Sequence, residues 1–229
     1  MLNHPHTIPT LARMPEALIT LCCQFSRVTR YQANEIIFQR GEKQAGLSIV
    51  LSGTVEVGNY GIDGRFYVSA EFTRGDTFGE FTLFAQLPRT HQTTALSQVE
   101  VLHLSPRQYQ AVRTHSADLD AFLLSSLACK LHITLERLDD KVRLPTHVQL
   151  AKMLYHTSLQ QRHKVIKIRQ QDCASRLGVT VLSAHQSIKK LVALGLINKA
   201  YGAIIIEDPE ALAEWLESQA SLLSLTSAT

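Results

Sequence analysis

Eight of the chain's eleven glycines fall between Gly41 and Gly79, and the next does not come until Gly178. A segment punctuated by glycine every few residues is confined to short extended runs joined by tight turns, whereas a long glycine-free stretch leaves room for helices. The apolar runs between these glycines, "EIIFQRG", "AGLSIVLSG", "TVEVGNYGIDG" and "RFYVSAEFTRG", have the length of strands. Asp63-Gly64 sits between two alternating segments as a hairpin turn, with both residues suited to positive φ. Further strands follow in "TTALSQVEVLHLS". The pattern predicts an antiparallel roll or barrel over residues 1–117, with closure disposing of exposed strand edges.

From about Ser116 the hydrophobic period changes. "SADLDAFLLSSLACKLHITLERLDDKV" holds neither glycine nor proline and predicts one helix over 118–143. Leu124, Leu127, Leu131, Thr134 and Leu138 alternate steps of three and four, the seam of a two-stranded coiled coil. Leu119, Phe122, Leu123 and Leu135 form a second stripe suited to the roll. Two apolar faces call for two partners, one being a second copy of the chain; a single broad face inside a monomer is the alternative.

Residues 144–229 read as a third part. A helix restarts after Pro145, "HKVIKIR" offers a short strand, and "QQDCASRLGVTVLSAHQSIKKLVALGLI" has the form of a helix-turn-helix. Ala174 is small where two helices meet, Gly178 permits the turn, Thr180 caps the second helix, and Ala184, Ile188 and Leu191 face inward. Leu182, Ser183, His185, Gln186, Lys189 and Lys190 occupy the opposite arc. "NKAYGAIIIED" reads as a two-stranded wing turning near Gly202, and "PEALAEWLESQASLLSL" as a terminal amphipathic helix, so the fold class is α+β with a C-terminal winged helix.

Charge singles out the same part of the chain. Between residues 141 and 206 there are eleven Lys or Arg against one acid, Asp172, in a chain whose net charge is only +3. Such a surplus over a folded segment points to an anionic partner, duplex nucleic acid first and an acidic protein second. Lys152, Lys164, Lys167, Arg169 and Lys199 are the candidate phosphate contacts. No window approaches the roughly 20 uninterrupted apolar residues of a membrane span, and the N-terminus lacks a basic cluster leading into an apolar run, so the expected location is the cytoplasm. Cys22, Cys23, Cys129 and Cys173 match neither a disulfide framework nor the spaced run of an iron–sulfur site, and read as reduced, partly buried thiols. No set of histidines on the early strands suggests a resident metal, which argues against a metal enzyme of the cupin type.

Roll, long helix and winged helix, in that order, resemble the catabolite activator protein and fumarate–nitrate regulator (CRP/FNR) family of bacterial transcription factors. "RGEKQAGLSIVLSGTVEV" and "GDTFGEFTLF" carry the likeness to its cyclic-nucleotide-binding fold. The resemblance implies a homodimer on palindromic double-stranded DNA that contacts RNA polymerase if it activates, with no catalytic activity. It also implies an effector such as cyclic AMP. In that case Gly79 and Glu80 would meet the ribose, Arg89 and Thr90 the cyclic phosphate, and Thr134 the adenine, while Thr180, Leu182, Ser183, His185, Gln186, Lys189, Lys190 and Arg169 would meet DNA. The chain departs from the family pattern in several places. The loop from Glu80 to Arg89 is about a residue short, Leu87 or Pro88 replaces its glycine, His91 replaces an alanine and Leu135 a serine. Val181, Leu182 and Gln186 stand where activators carry charged readers. An effector-independent regulator with a vestigial pocket is therefore the second expectation.

Overall fold

A computed structural model describes residues 12–226, those at 160 and 220–226 by backbone alone. The absence of an export signal was read from the N-terminus, and residues 1–11 lie outside the described part. The chain forms two compact units, one ending at His132 and the other beginning at Ile133. No helix among the described residues is long and apolar enough to cross a membrane.

The first unit opens with α1 (Glu16–Cys23) and continues through β1 (Val28–Tyr31), β2 (Ile36–Phe38), β3 (Leu47–Ser52), β4 (Val55–Tyr60), β5 (Phe66–Phe72) and β6 (Thr77–Phe78). A one-and-a-half-turn α2 (Glu80–Phe84) precedes β7 (Gln92–Ala95), β8 (Val99–Leu104), α3 (Pro106–His115) and α4 (Asp118–Arg143). The strands build two antiparallel four-stranded sheets, in the orders β1-β8-β3-β6 and β2-β7-β4-β5. Each sheet keeps its edges, so the expected roll is present and the fully closed barrel is not. Strand β3 shows why the layers stack as they do. It is buried at five successive positions, because Leu47, Ile49 and Leu51 face α1, α3 and α4 while Val50 faces the inter-sheet core with Phe38, Val55, Phe72 and Phe78. A strand covered on both faces loses polar alternation.

At the β4–β5 hairpin only Gly64 takes positive φ, at 73°; Asp63 keeps negative φ and accepts from the Arg65 N–H at 3.1 Å. Helix α3 was not expected. It has a local signature nonetheless: Ser105 caps it, Pro106 opens it, and the Gln108 side chain accepts from the Ser105 N–H at 2.9 Å, a capping box.

Helix α4 runs through 26 residues. Leu119 and Leu123 are fully buried in the core of the first unit, with Phe122 packed against it. Leu135, assigned to the same stripe, is 56% exposed instead, and the seam residues Leu124, Leu131 and Leu138 are also exposed. Leu135 lies four turns beyond Leu119, and its part of α4 belongs to the second unit.

The second unit holds α5 (Thr146–Gln161), β9 (Val165–Ile166), α6 (Gln170–Leu177), α7 (Val181–Ala193), the hairpin β10 (Ile197–Ala200) and β11 (Ala203–Ile206), and α8 (Pro209–Thr226). The three strands pair antiparallel in the order β10-β11-β9. Their apolar residues close one core with Leu150 and Leu154 of α5, Cys173 of α6, Leu191 of α7 and Leu212 of α8. Cys173 is completely buried, and burial, with Asp172 adding to it, pushes its thiol up to about 11. That leaves it a packing residue.

Candidate functional site

Two places bring polar side chains together for no packing reason: the end of the roll around Glu80 and Arg89, and the outer arc of α7.

The first is set by glycines. Gly79 has φ 99°, and a Cβ there would stand 2.4 Å from the Gly46 carbonyl oxygen, so any side chain would break the approach of the two segments. Directly after it Glu80 begins α2 with only 6% exposure. Its Oε1 accepts from the Thr77 hydroxyl and from Lys130 Nζ, each at 2.6 Å, and Lys130 also donates to the Thr77 carbonyl at 2.7 Å. Thr82 braces the turn by donating to the Gly79 carbonyl at 2.8 Å.

Arg89 is 8% exposed, yet it is not paired with Glu80. Its guanidinium carbon lies 3.3 Å from the centre of the Phe38 ring, a cation–π contact. One Nη donates weakly to the Gln44 carbonyl at 3.5 Å. Its Nε is buried and finds no hydrogen-bond partner among the described residues. Burial lowers the guanidinium's pKa, opposed by the charges of Glu42 and Glu80. Beneath Phe38, His103 is held between the Tyr31 hydroxyl at 2.8 Å and the Ser48 hydroxyl at 2.9 Å. Burial first, and the Arg89 charge second, lower His103 to about 4. It is therefore a neutral member of the wall at physiological pH. A cleft of about 410 Å³ runs along residues 36–42, meeting this group at Phe38 and Glu42.

Of the sequence candidates, Gly79, Glu80 and Arg89 converge at this end of the roll. Thr90 is exposed and its hydroxyl is hydrogen-bonded with the His91 ring at 2.8 Å. Thr134 belongs to the second unit, exposed on α4. Lys130 went unnoticed in the sequence reading, although it is the only Lys or Arg between Arg113 and Arg137.

In the second unit, Gly178 takes φ 62° and closes α6, and Thr180 accepts from the Ser183 N–H at 3.1 Å to start α7. Ala174, Ala184, Ile188 and Leu191 are buried, as the two-helix pattern requires. Outward, Leu182 is 66% exposed, and His185, Gln186, Lys189 and Lys190 are exposed with it. Ser183, Gln186 and Lys190 share a cleft of about 250 Å³ with Thr146 and His147 at the start of α5. His185 Nδ1 lies 3.2 Å from Gln170 Oε1. Arg169 is 79% exposed and donates through Nε to Asp172 at 3.3 Å, an ion pair too open to hold it from another anion. Lys152 differs from expectation. Its ammonium is only 14% exposed and pairs with Asp140 at 2.7 Å and Glu136 at 3.6 Å. It fastens α5 to the end of α4, so it is no phosphate contact. Lys164 donates to the Glu207 carbonyl at 3.3 Å from an exposed position.

These two places coincide with two known domain families. Residues 28–115 match the cyclic nucleotide-binding domain and residues 148–215 the Crp-like helix-turn-helix domain. The CRP-like cAMP-activated global transcriptional regulator of Mycobacterium tuberculosis is 24% identical over 206 residues, covering 87% of this chain and 92% of the relative. The cAMP-activated global transcriptional regulator CRP of Salmonella typhimurium is 24% identical over 213 residues, 90% of this chain and 97% of the relative. Among solved structures, the c-di-GMP-responsive global regulator CLP of Xanthomonas campestris aligns with TM-score 0.70 at 21% identity, over 85% of this chain and all of that one. A CooA variant from Carboxydothermus hydrogenoformans aligns with TM-score 0.75 at 16% identity, over 90% and 97%. At such identities the structural likeness speaks for the fold alone.

Proposed function

The chain belongs to the CRP/FNR family of transcription regulators, and from that premise we propose that it acts as a homodimer on palindromic DNA under the control of a cyclic nucleotide. Regulators of this family are not enzymes; they bind DNA through the helix-turn-helix. In the proposed dimer the seam of Leu124, Leu127, Leu131 and Leu138 is covered by the second copy. The two α7 helices enter successive major grooves about 34 Å apart. Arg169, Lys189 and Lys190 meet phosphates, which set affinity and salt dependence, and Gln186 and Leu182 meet base edges, suiting adenine and the thymine methyl respectively. If the protein activates, RNA polymerase is the further partner.

The observation that carries the effector reading is the buried Arg89 Nε with no acceptor. An unsatisfied buried donor on a cation is costly, and a phosphate oxygen would satisfy it. Both bonds to Glu80 fall on Oε1, which leaves Oε2 for a ribose hydroxyl. A second reading has support in the same pair: Lys130 already neutralises Glu80, so the site is closed on itself and DNA binding needs no ligand.

Calorimetry with cyclic AMP, cyclic GMP and buffer alone, on the wild type and on Arg89→Ala, separates the two. The effector reading expects wild-type heat and a raised melting temperature with one nucleotide, both abolished in Arg89→Ala. Silence at millimolar nucleotide, with duplex binding intact, favours the second. Light scattering tests the dimer: a mass of two chains is expected, falling to one in Leu131→Asp.

A further inference from the structure

The contact between Gln170 and His185 determines more than position. Gln170 opens α6, while Val181 and His185 lie one turn apart in α7. The Gln170 amide reaches both: Nε2 donates to the Val181 carbonyl at 3.2 Å, and Oε1 lies 3.2 Å from His185 Nδ1. A backbone carbonyl only accepts, so the end of the amide facing Val181 must be the NH2 group. The end facing His185 is then the amide oxygen, which also only accepts. Nδ1 must therefore carry the proton. In a neutral imidazole with Nδ1 protonated, Nε2 is a bare acceptor.

His185 is exposed, between Leu182 one turn before it and Lys189 one turn after. Resting on the reading above in which α7 enters the major groove, we propose that His185 Nε2 accepts from the exocyclic amino group of a cytosine or adenine, with Gln170 as the positioning residue that holds it in the accepting tautomer. In the major groove cytosine presents its N4 amino group and adenine its N6 amino group, whereas guanine and thymine offer acceptors at O6 and O4. A locked acceptor opposite a keto oxygen sets two lone pairs against each other. The pair therefore sorts amino from keto bases at one position of each half-site, which arginine or glutamine in the same place would not do. One hydrogen bond of this kind is worth roughly two- to tenfold in affinity.

Two measurements on the full chain test it. Long-range proton–nitrogen spectra of labelled wild type at neutral pH should show the Nδ1-protonated pattern for His185, and Gln170→Ala should admit the Nε2-protonated form. Selection from a random duplex library should show wild type enriching cytosine or adenine at one position per half-site. His185→Ala should lose that preference alone, Gln170→Ala should broaden it, and Gln170→Glu, which favours the doubly protonated ring, should move it toward guanine. A wild-type Nε2-protonated spectrum overturns the proposal and needs no variant to fold. So does an unchanged base preference in both Gln170 variants that still bind DNA. A wild type that selects no sequence removes the DNA-reading premise as well, and that failure is recognisable because it appears without any substitution.

Discussion

Glu80 and Arg89 retain 6% and 8% of their surface, whereas Leu182 on α7 retains 66% and its neighbours His185, Gln186 and Lys189 are exposed beside it. In the roll, charge is inside and already held by the protein, Glu80 by Lys130 and Thr77, Arg89 by the face of Phe38. On α7 an apolar residue is outside, among polar ones that the fold does not require there. Burying charge costs stability unless each group is paired, and exposing leucine forfeits burial worth about 2 kcal/mol. The two regions depart from ordinary packing in opposite senses. A ligand at the roll has to fit an arrangement already nearly satisfied, so its binding is sensitive to small changes of chemistry. A partner on α7 meets a surface that is ready and unsatisfied.

The largest way to break this contrast is to remove the carboxylate. Glu80→Ala leaves the Lys130 ammonium facing a cavity and should cost the first unit about 3 kcal/mol. Trp215, the chain's single tryptophan, lies in the second unit and reports that unit by fluorescence. Its denaturation midpoint should stay in place while circular dichroism shows the loss. Equal shifts in both signals would deny that the roll carries the penalty alone.

Acid should act on the same region. His103 is lowered to about 4 in the folded chain, chiefly by burial, against an ordinary value near 6.5. The unfolded chain therefore binds more protons between those two values, so stability is full above pH 6.5 and declines as pH falls toward 4, by on the order of 2 kcal/mol. In His103→Gln that slope should flatten. A slope that persists would assign the acid sensitivity to another group.

Smaller effects belong to the second unit. Thr180→Ala removes the cap of α7 and should cost about 1 kcal/mol, visible in the Trp215 signal. Lys189→Ala should leave both midpoints unmoved and weaken all duplexes evenly, lowering the salt slope of binding by about 0.9 for one phosphate contact. A change in base preference in that variant would give Lys189 a reading role instead.

Local pattern was legible where neighbours in sequence are neighbours in space. Ala174, Gly178, Thr180, Ala184, Ile188 and Leu191 are placed by helical period and turn chemistry, and each does in the structure what its residue type suggests. Helix α3 was equally local, its capping box written in "SPRQ", and was overlooked because the strand pattern before it ran into Ser105. The roll was legible as a class but its open edges were not, since strand order depends on which segments pair across the chain. Lys152 was misread for a related reason. A basic residue in a basic segment looks like a phosphate contact until the fold brings Asp140 to it.

Sequence alone determined the order of the parts, the glycine at each required turn, and the residue types at Gly79, Glu80, Arg89 and along α7, because backbone freedom and helical period are properties of near neighbours. Only the tertiary structure decided what those side chains meet. Lys130 reaches Glu80 across 50 residues, Phe38 lies under Arg89 across 51, and Gln170 sets the tautomer of His185 from another helix. Such pairings follow from the packing of sheets and helices against one another. No run of adjacent residues encodes them, because hydrogen bonds and ion pairs form wherever burial leaves a polar group without water.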